Sequence, residues 1–303
     1  MIHNPVAASN HIPQVRAIGL IFAVTFLWVA IETIGSLLPA QVSPYEAVWM
    51  RYGVHLLVLL VFIGPRHAGR LWRTSRPGAQ IGRGLLMLGM PVCFVLSARF
   101  VSVTSTWAVF WSAPLLALAL AALFLHETVG PLAWLVTAAA FAGELIVLHP
   151  HHDLLAPAIV LPLGMALCFA LYVLSSRVLR EEATAPSLFY TAAAVFVPLS
   201  VVLPWFWRPL TWTAGIELVA IGVLGLLLLY CLDKGLELAE VHAVAPFLLA
   251  VPLWGVGVDS MSAETAPGQR ALLGSVVIVV ALAALLVGGR RRHALRVARG
   301  RAN

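Results

Sequence analysis

Five charged residues of this chain stand inside or at the rim of long apolar stretches: Glu32, Arg51, Arg99, Glu144 and Glu217. A charge at membrane depth is costly unless it is paired or hydrated, so each is a candidate for handling a proton, a cation or a charged solute. Counting helical rise at ~1.5 Å per residue places all five in the outer third of one apolar layer. Glu32 and Arg51 are set there to form a charge pair. The alternative is a structural ion-pair layer with snorkelling arginines. Glu32 stands out by its face, because Thr25, Trp28, Glu32 and Ser36 recur at three- and four-residue spacing. Such a polar stripe is wasted against lipid and is expected to face the interior of a helix bundle. Glu144 lies on a stretch expected at the periphery and reads as structural.

Aromatic residues repeat the pattern. Thr104, Trp107 and Trp111 share a face of the fourth apolar stretch, and Cys168, Tyr172 and Ser175 share one of the sixth. Trp28, Glu32, Trp107, Trp111, Tyr172 and Tyr230 are expected to border one central cavity and bind substrate. Aromatic faces hold planar or cationic solutes by contacts worth about 0.5–2 kcal/mol; interhelical packing is the plainer role. Pro114, Pro246 and Pro252 interrupt the fourth and ninth stretches and free the carbonyls of Phe110, His242 and Leu248. Freed carbonyls are tolerated where they line a cavity, so paired kinks suit gating helices, with purely structural kinks as the alternative. Trp205, Trp207 and Trp212 cluster at a boundary as an interfacial belt. His55 reads as a satisfied buried histidine rather than a proton relay, and Glu127 and Glu264 as residues that fix helix ends. His149, His151, His152 and Asp153 form a loop cluster that Pro150 breaks, so no metal and no cofactor is expected.

These side chains must be positioned by membrane helices. Of 303 residues, 61% are hydrophobic and 11% charged, against roughly a quarter charged in soluble domains. A span needs about 20 apolar residues. Ten such stretches occur, near Ala17–Leu38, Tyr45–Ile63, Gly84–Arg99, Thr104–Leu125, Pro131–His149, Ala156–Val178, Pro186–Phe206, Thr211–Leu232, Val241–Val258 and Gln269–Gly288. Cys93, Cys168 and Cys231 all fall inside them, which implies no disulfide framework. The first run is longer than a signal-peptide core and lacks a small-residue cleavage site, so it reads as a retained span.

The net charge of +6 is not a nucleic-acid signature, because its placement is one-sided. Arg66, Arg70, Arg73, Arg76 and Arg83 precede the third span, and Arg290, Arg291, Arg292, Arg296, Arg299 and Arg301 follow the tenth. Arg16, Arg177, Arg180 and Lys234 join them on the same side, making fifteen of nineteen basic residues. By the positive-inside rule both termini are cytoplasmic.

Ten spans divide into five and five, and an odd number inverts the second group. A shift of 138 residues lays Pro114 on Pro252 and Cys93 on Cys231, and brings Glu127 within one residue of Glu264. The expectation is an all-α membrane protein of ten transmembrane helices in two inverted five-helix repeats, residues 1–150 and 151–303. The second repeat ends in a basic tail. Ala139 and Gly143 in span five allow close helix contact, and spans five and ten are expected to be outer scaffolding.

The stretch from Val48 to Pro150 resembles the EamA-type transporters of the drug/metabolite transporter superfamily. Its landmarks are Arg51-Tyr52, Arg83-Gly84, Ala113-Pro114, His126-Glu127, Gly143 and His149-Pro150. The second half matches more weakly, at Ser187–Ala192, Ala245-Pro246 and Gly274. Departures are His126 in place of a turn glycine, Glu144 in place of an apolar residue, and a loosened turn at Met261–Thr265. The resemblance implies ten helices and alternating-access movement of small metabolites across the inner membrane, and no particular solute. Partners are then a small-molecule solute, the lipid bilayer and a coupling proton or sodium ion, with oligomeric state open. An intramembrane enzyme would need a nucleophile with a base, or metal ligands; no H-E-x-x-H and no G-x-S-x-G is present. A non-transporting scaffold or sensor leaves the polar stripes and paired prolines unexplained. No nucleotide-binding loop exists, so ATP hydrolysis is excluded as the drive.

Overall fold

The computed structural model describes residues 11–65, 71–150, 152–262 and 268–302. The readings on Arg66, Arg70, His151 and Glu264, and on the side chains of His152 and of the tail arginines, fall outside the described residues. Among the described residues there is no strand, and ten helices are long and apolar enough to cross a membrane. They are Pro13–Leu37, Pro44–Ile63, Pro77–Ser97, Val103–Phe124, Pro131–Leu148, Pro157–Val178, Thr184–Trp205, Trp212–Leu238, Val241–Val258 and Gln269–Gly288, here spans one to ten.

Helix starts follow from side-chain chemistry. Ser43 and Glu46 form a capping box on span two, the Glu46 carboxylate accepting from the Ser43 N–H at 2.8 Å. Span three opens on Pro77, whose missing donor costs nothing in a first turn. It therefore starts seven residues before Gly84, while span eight runs to Leu238, six residues past Leu232. Both extensions carry charged residues into helices, with consequences for the site.

Spans four and nine are broken at their prolines. In span four, helix Val103–Phe110 stops and a second helix starts at Ala113, with Pro114 in its first turn. In span nine, a short helix Val241–Val244 leads through a 3-10 stretch Ala245–Ala250 into helix Val251–Ser262. Pro246 and Pro252 both sit at segment starts, where no hydrogen bond is forfeited.

Hydrogen bonds between connections sort them into two ends. Glu182, after span six, accepts from Thr74 and Ser75, before span three. Glu127, after span four, accepts from Val241 and His242 at the start of span nine. At the other end, Glu46 accepts from the Arg208 N–H and Asp153 from the Ser102 N–H. Even-numbered connections meet even and odd meet odd, as ten full crossings require. Arg73, Arg76, Arg177, Arg180 and Lys234 mark the even end; Arg99, Arg208 and Arg270 lie toward the odd one.

The contacts between spans follow a rule. Span one packs on eight and span six on three; span two packs on eight and seven on three; four packs on six and nine on one. Spans two and seven, and spans five and ten, pack on each other. Adding five to each span number, and subtracting ten where the sum exceeds ten, turns each of these pairings into one of the same set. Glycines set the closest approaches: a Cβ at Gly274 would lie 2.6 Å from the Gly143 carbonyl oxygen, and one at Gly143 2.9 Å from that of Gly274. That seam joins spans five and ten backbone to backbone.

Candidate functional site

Spans one, four and six meet at an aromatic core. The Trp28 ring lies 5.2 Å from Trp111, 5.5 Å from Phe110, 5.8 Å from Phe169 and 6.2 Å from Trp107, centroid to centroid. Phe94 of span three reaches Trp107 at 5.4 Å. Edge-on and tilted pairs at these distances add attraction beyond buried area. Phe110, Trp111 and Phe169 are fully packed, while Trp28 and Trp107 are half-buried and keep part of their rings free. Of the residues expected to border one cavity, Trp107 and Trp111 are both brought against Trp28.

The polar stripe of span one changes character along its length. Thr25 is buried and accepts from the Trp254 indole N–H at 3.0 Å, tying span one to span nine. Trp28 is half-buried, and Glu32 and Ser36 are exposed. Arg51 is near enough to act electrostatically on Glu32, yet the two form no ion pair. The Arg51 guanidinium lies against Gly225, where a Cβ would collide with it, and its Nε is buried without a hydrogen-bond partner. The charge pair read from sequence is thus within electrostatic reach but forms no ion pair. His55 is buried and makes a backbone hydrogen bond with Gly222, as a buried histidine is expected to, while its Nε2 has no partner. Glu144 is buried with an unpartnered Oε2, and Glu217 also has one.

Tyr172 and Tyr230 do not join the aromatic core. Tyr230 is 44% exposed and continues the outward stripe Ile216, Val219, Val223 and Leu227 of span eight. Tyr172 is fully buried one helical turn from Phe169, where its hydroxyl accepts from Arg83 Nη2 at 2.5 Å. The same Nη2 donates to Asp233 Oδ1 at 2.6 Å and to Oδ2 at 2.5 Å, and the Arg83 guanidinium carbon stands 4.5 Å from the Tyr172 ring centre. Arg83 is 2% exposed and Asp233 8%. This ion pair joins span three to span eight across 150 residues of sequence, with span six supplying the tyrosine. A buried pair is tolerated only when such further hydrogen bonds satisfy it.

Sequence reasoning missed this cluster. Arg83 was counted among topology-setting arginines and Asp233 fell just past the assigned end of span eight. The available signal was an acid at Asp233 and an arginine at Arg83 within reach of apolar runs on the same side. Toward the even end the cluster fronts an open cleft of about 220 Å³, lined also by Arg180, Glu182, Ser187 and Glu237. One turn before Arg83, the Gln80 amide donates to Ser187 at 2.9 Å.

The caps of the broken spans complete the site. Glu127 receives the N–H groups of Val241 at 3.1 Å and His242 at 3.2 Å, and the His242 ring at 3.1 Å. Burial works to raise its pKa, but the His242 ring and the two backbone donors outweigh it and hold the carboxyl below its ordinary value. His126 reaches φ 53, a left-handed backbone in which the usual turn glycine is at ease, and aims Glu127 at span nine. Asp153 does the corresponding work for span four, accepting from the Ser102 N–H at 2.7 Å and the Ser105 hydroxyl at 2.5 Å. At the even surface, hydrogen bonds led by that from the Ser75 hydroxyl hold Glu182 below the usual carboxylate range.

Ten apolar helices around an aromatic core, sealed at one end by a buried ion pair, make this a multi-pass membrane protein of the transporter class. Residues 15–149 match the EamA-like transporter family. It is 28% identical over 255 residues to an S-adenosylmethionine uptake transporter of Rickettsia felis, covering 82% of this chain and 85% of that one. It is 25% identical to a riboflavin transporter of Vibrio cholerae, over 77% and 80% of the two chains. A crystal structure 19% identical in sequence superposes with a TM-score of 0.78 over 91% of this chain and 98% of the other, a likeness of fold. These relatives are transporters and not enzymes.

Proposed function

We propose that this protein is a secondary transporter that moves a small organic metabolite across the cytoplasmic membrane. Movement is by alternating access around a central cavity between two inverted halves, residues 1–150 and 151–303. The arginine-rich even end and both termini face the cytoplasm, in keeping with the positive-inside rule. The exchange of span pairings on adding five supports the inverted repeat.

The observation that carries the reading is the half-buried pair Trp28 and Trp107. They lie on a packed aromatic floor where span one of the first half meets span six of the second. Glu32, one turn above Trp28 and exposed, adds a carboxylate beside those rings. A planar ring stacks on that surface, and a cationic group is drawn to Glu32. The solutes named for the relatives, S-adenosylmethionine and riboflavin, both carry planar rings. The gradient of a proton or of sodium supplies the drive, with Glu32 facing Arg51 as the place where cation and solute charge are balanced. Spans four and nine, broken at Pro114, Pro246 and Pro252, act as the gating helices.

Counterflow in proteoliposomes tests this. Vesicles preloaded with unlabelled S-adenosylmethionine or riboflavin should accumulate the labelled compound, and Trp28→Ala with Trp107→Ala should cut that uptake at least tenfold. Uptake of both compounds no faster than in protein-free liposomes would reject the reading.

A further inference from the structure

We propose that Arg83, Asp233 and Tyr172 form a recognition station for the zwitterionic amino-acid end of the transported metabolite. The inference rests on the transporter reading above and narrows its substrate class.

A guanidinium has five N–H donors on three nitrogens. Asp233 and Tyr172 both converge on Nη2 of Arg83. Nε is buried with no partner. A side chain 2% exposed with such a nitrogen is costly in a packed interior. A carboxylate delivered from the adjoining cleft satisfies it, since charge-assisted hydrogen bonds from arginine are the strong ones. Gln80, one turn away and also buried, leaves its Oε1 unpartnered, an acceptor for an ammonium N–H.

The cleft itself carries both signs. Arg83 and Arg180 stand against Asp233, Glu182 and Glu237, with the Ser187 hydroxyl between. A solute that is only an anion meets three carboxylates there, and one that is only a cation meets two arginines. An α-amino-acid group presents one charge to each set. Span six links the two places: Phe169 packs under Trp28, and Tyr172, one turn on, holds Arg83. A metabolite with a planar ring at one end and an amino-acid group at the other fits that order. S-adenosylmethionine has this form and riboflavin does not.

The test uses the purified full chain in detergent, with ligand affinity read from thermal stability, and counterflow measured separately. Three probes are used: S-adenosylmethionine, its decarboxylated form and riboflavin. Wild type should bind the decarboxylated compound at least about tenfold more weakly, the factor expected for one lost charge-assisted hydrogen bond. Arg83→Lys keeps a charge for Asp233 but removes the spare guanidinium donors, so it should bring the two affinities together. Equal affinities in the wild type, or undiminished discrimination in folded Arg83→Lys, would overturn the station. Should that variant not fold, the wild-type comparison decides alone. Riboflavin binding without binding of either adenosyl compound would also overturn the station while leaving the transporter reading standing. Discrimination by the carboxylate without any counterflow would support the station and reject transport.

Discussion

The two ends of the bundle hold together by different chemistry. Among the described residues five ion pairs lie at the even end: Arg83 with Asp233, Arg177 with Glu127, Lys234 with Glu237, and His242 with Glu127 and Glu240. At the odd end the carboxylates of Glu46 and Asp153 cap backbone groups. Toward that end, Glu32 and Arg51 stand within electrostatic reach of each other but form no ion pair. Paired charges resist separation, because parting them strands each in a poor solvent. Unpaired charges are available to something that arrives. The arginine-rich end is therefore held together by electrostatics, and the side above the aromatic core is chemically unsaturated.

Four experiments break or sharpen that contrast. The largest effect is all-or-none. Cysteine introduced at Ser75 should react with a membrane-impermeant maleimide only in broken cells, and cysteine introduced at Leu155, which is 92% exposed, already in intact ones. Reaction at position 75 in intact cells would invert the assignment of ends.

Next comes stability. Arg83→Leu leaves Asp233 buried and unpaired, at an expected cost of about 3–5 kcal/mol read as lost folded yield. Adding Asp233→Leu should restore most of that yield, since a buried pair replaced by apolar groups is often neutral. Glu32→Gln, at the other end, should stay within about 1 kcal/mol because no partner is stranded. Equal losses from Arg83→Leu and Glu32→Gln would dissolve the difference between the ends.

The caps should cost less. Glu127→Ala and Asp153→Ala each remove acceptors from a helix start, worth about 0.5–2 kcal/mol. For Glu127 the pH dependence has a definite sign. Its carboxyl sits below its ordinary value of 4.5 when folded, so its contribution is complete above pH 4.5 and fades as pH drops through the folded value. The Tm gap between wild type and Glu127→Ala should hold at neutral pH and narrow under acid. A gap that widened on acidification would contradict this account of the cap.

The smallest effect belongs to the turn that aims Glu127. His126→Gly relieves a left-handed backbone at the expense of a freer unfolded chain, so a net gain of about 0.5–1 kcal/mol is expected in thermal unfolding. A loss of stability would mean that the His126 side chain itself holds the turn.

Much of this was legible in one sequence. Ten spans, their breaks at Pro114, Pro246 and Pro252, and the shared face of Trp28, Trp107 and Trp111 are local properties. Hydropathy sums over neighbours, a missing N–H acts within one turn, and side chains three or four apart lie on one face of any helix. The errors share one cause. Apolar windows end where charge begins, whereas helices continue until a cap stops them. An apolar window therefore starts span three at Gly84 and ends span eight at Leu232, which leaves Arg83 and Asp233 just outside. Tyr172 was assigned to the aromatic surface because its spacing matches the stripe of span six.

What the sequence determined alone is the solvent this chain folds in, the number of crossings and the places where helices break, since each depends on residues a few positions apart. Only the tertiary structure decided which charges pair. Arg83, Tyr172 and Asp233 converge from three spans, up to 150 residues apart, and Glu32 and Arg51 miss each other. Those outcomes depend on how each helix is rotated about its axis and how closely glycines such as Gly225 and Gly274 let neighbours approach. Rotation and approach are settled by packing against partners that no single helix carries in its own residues.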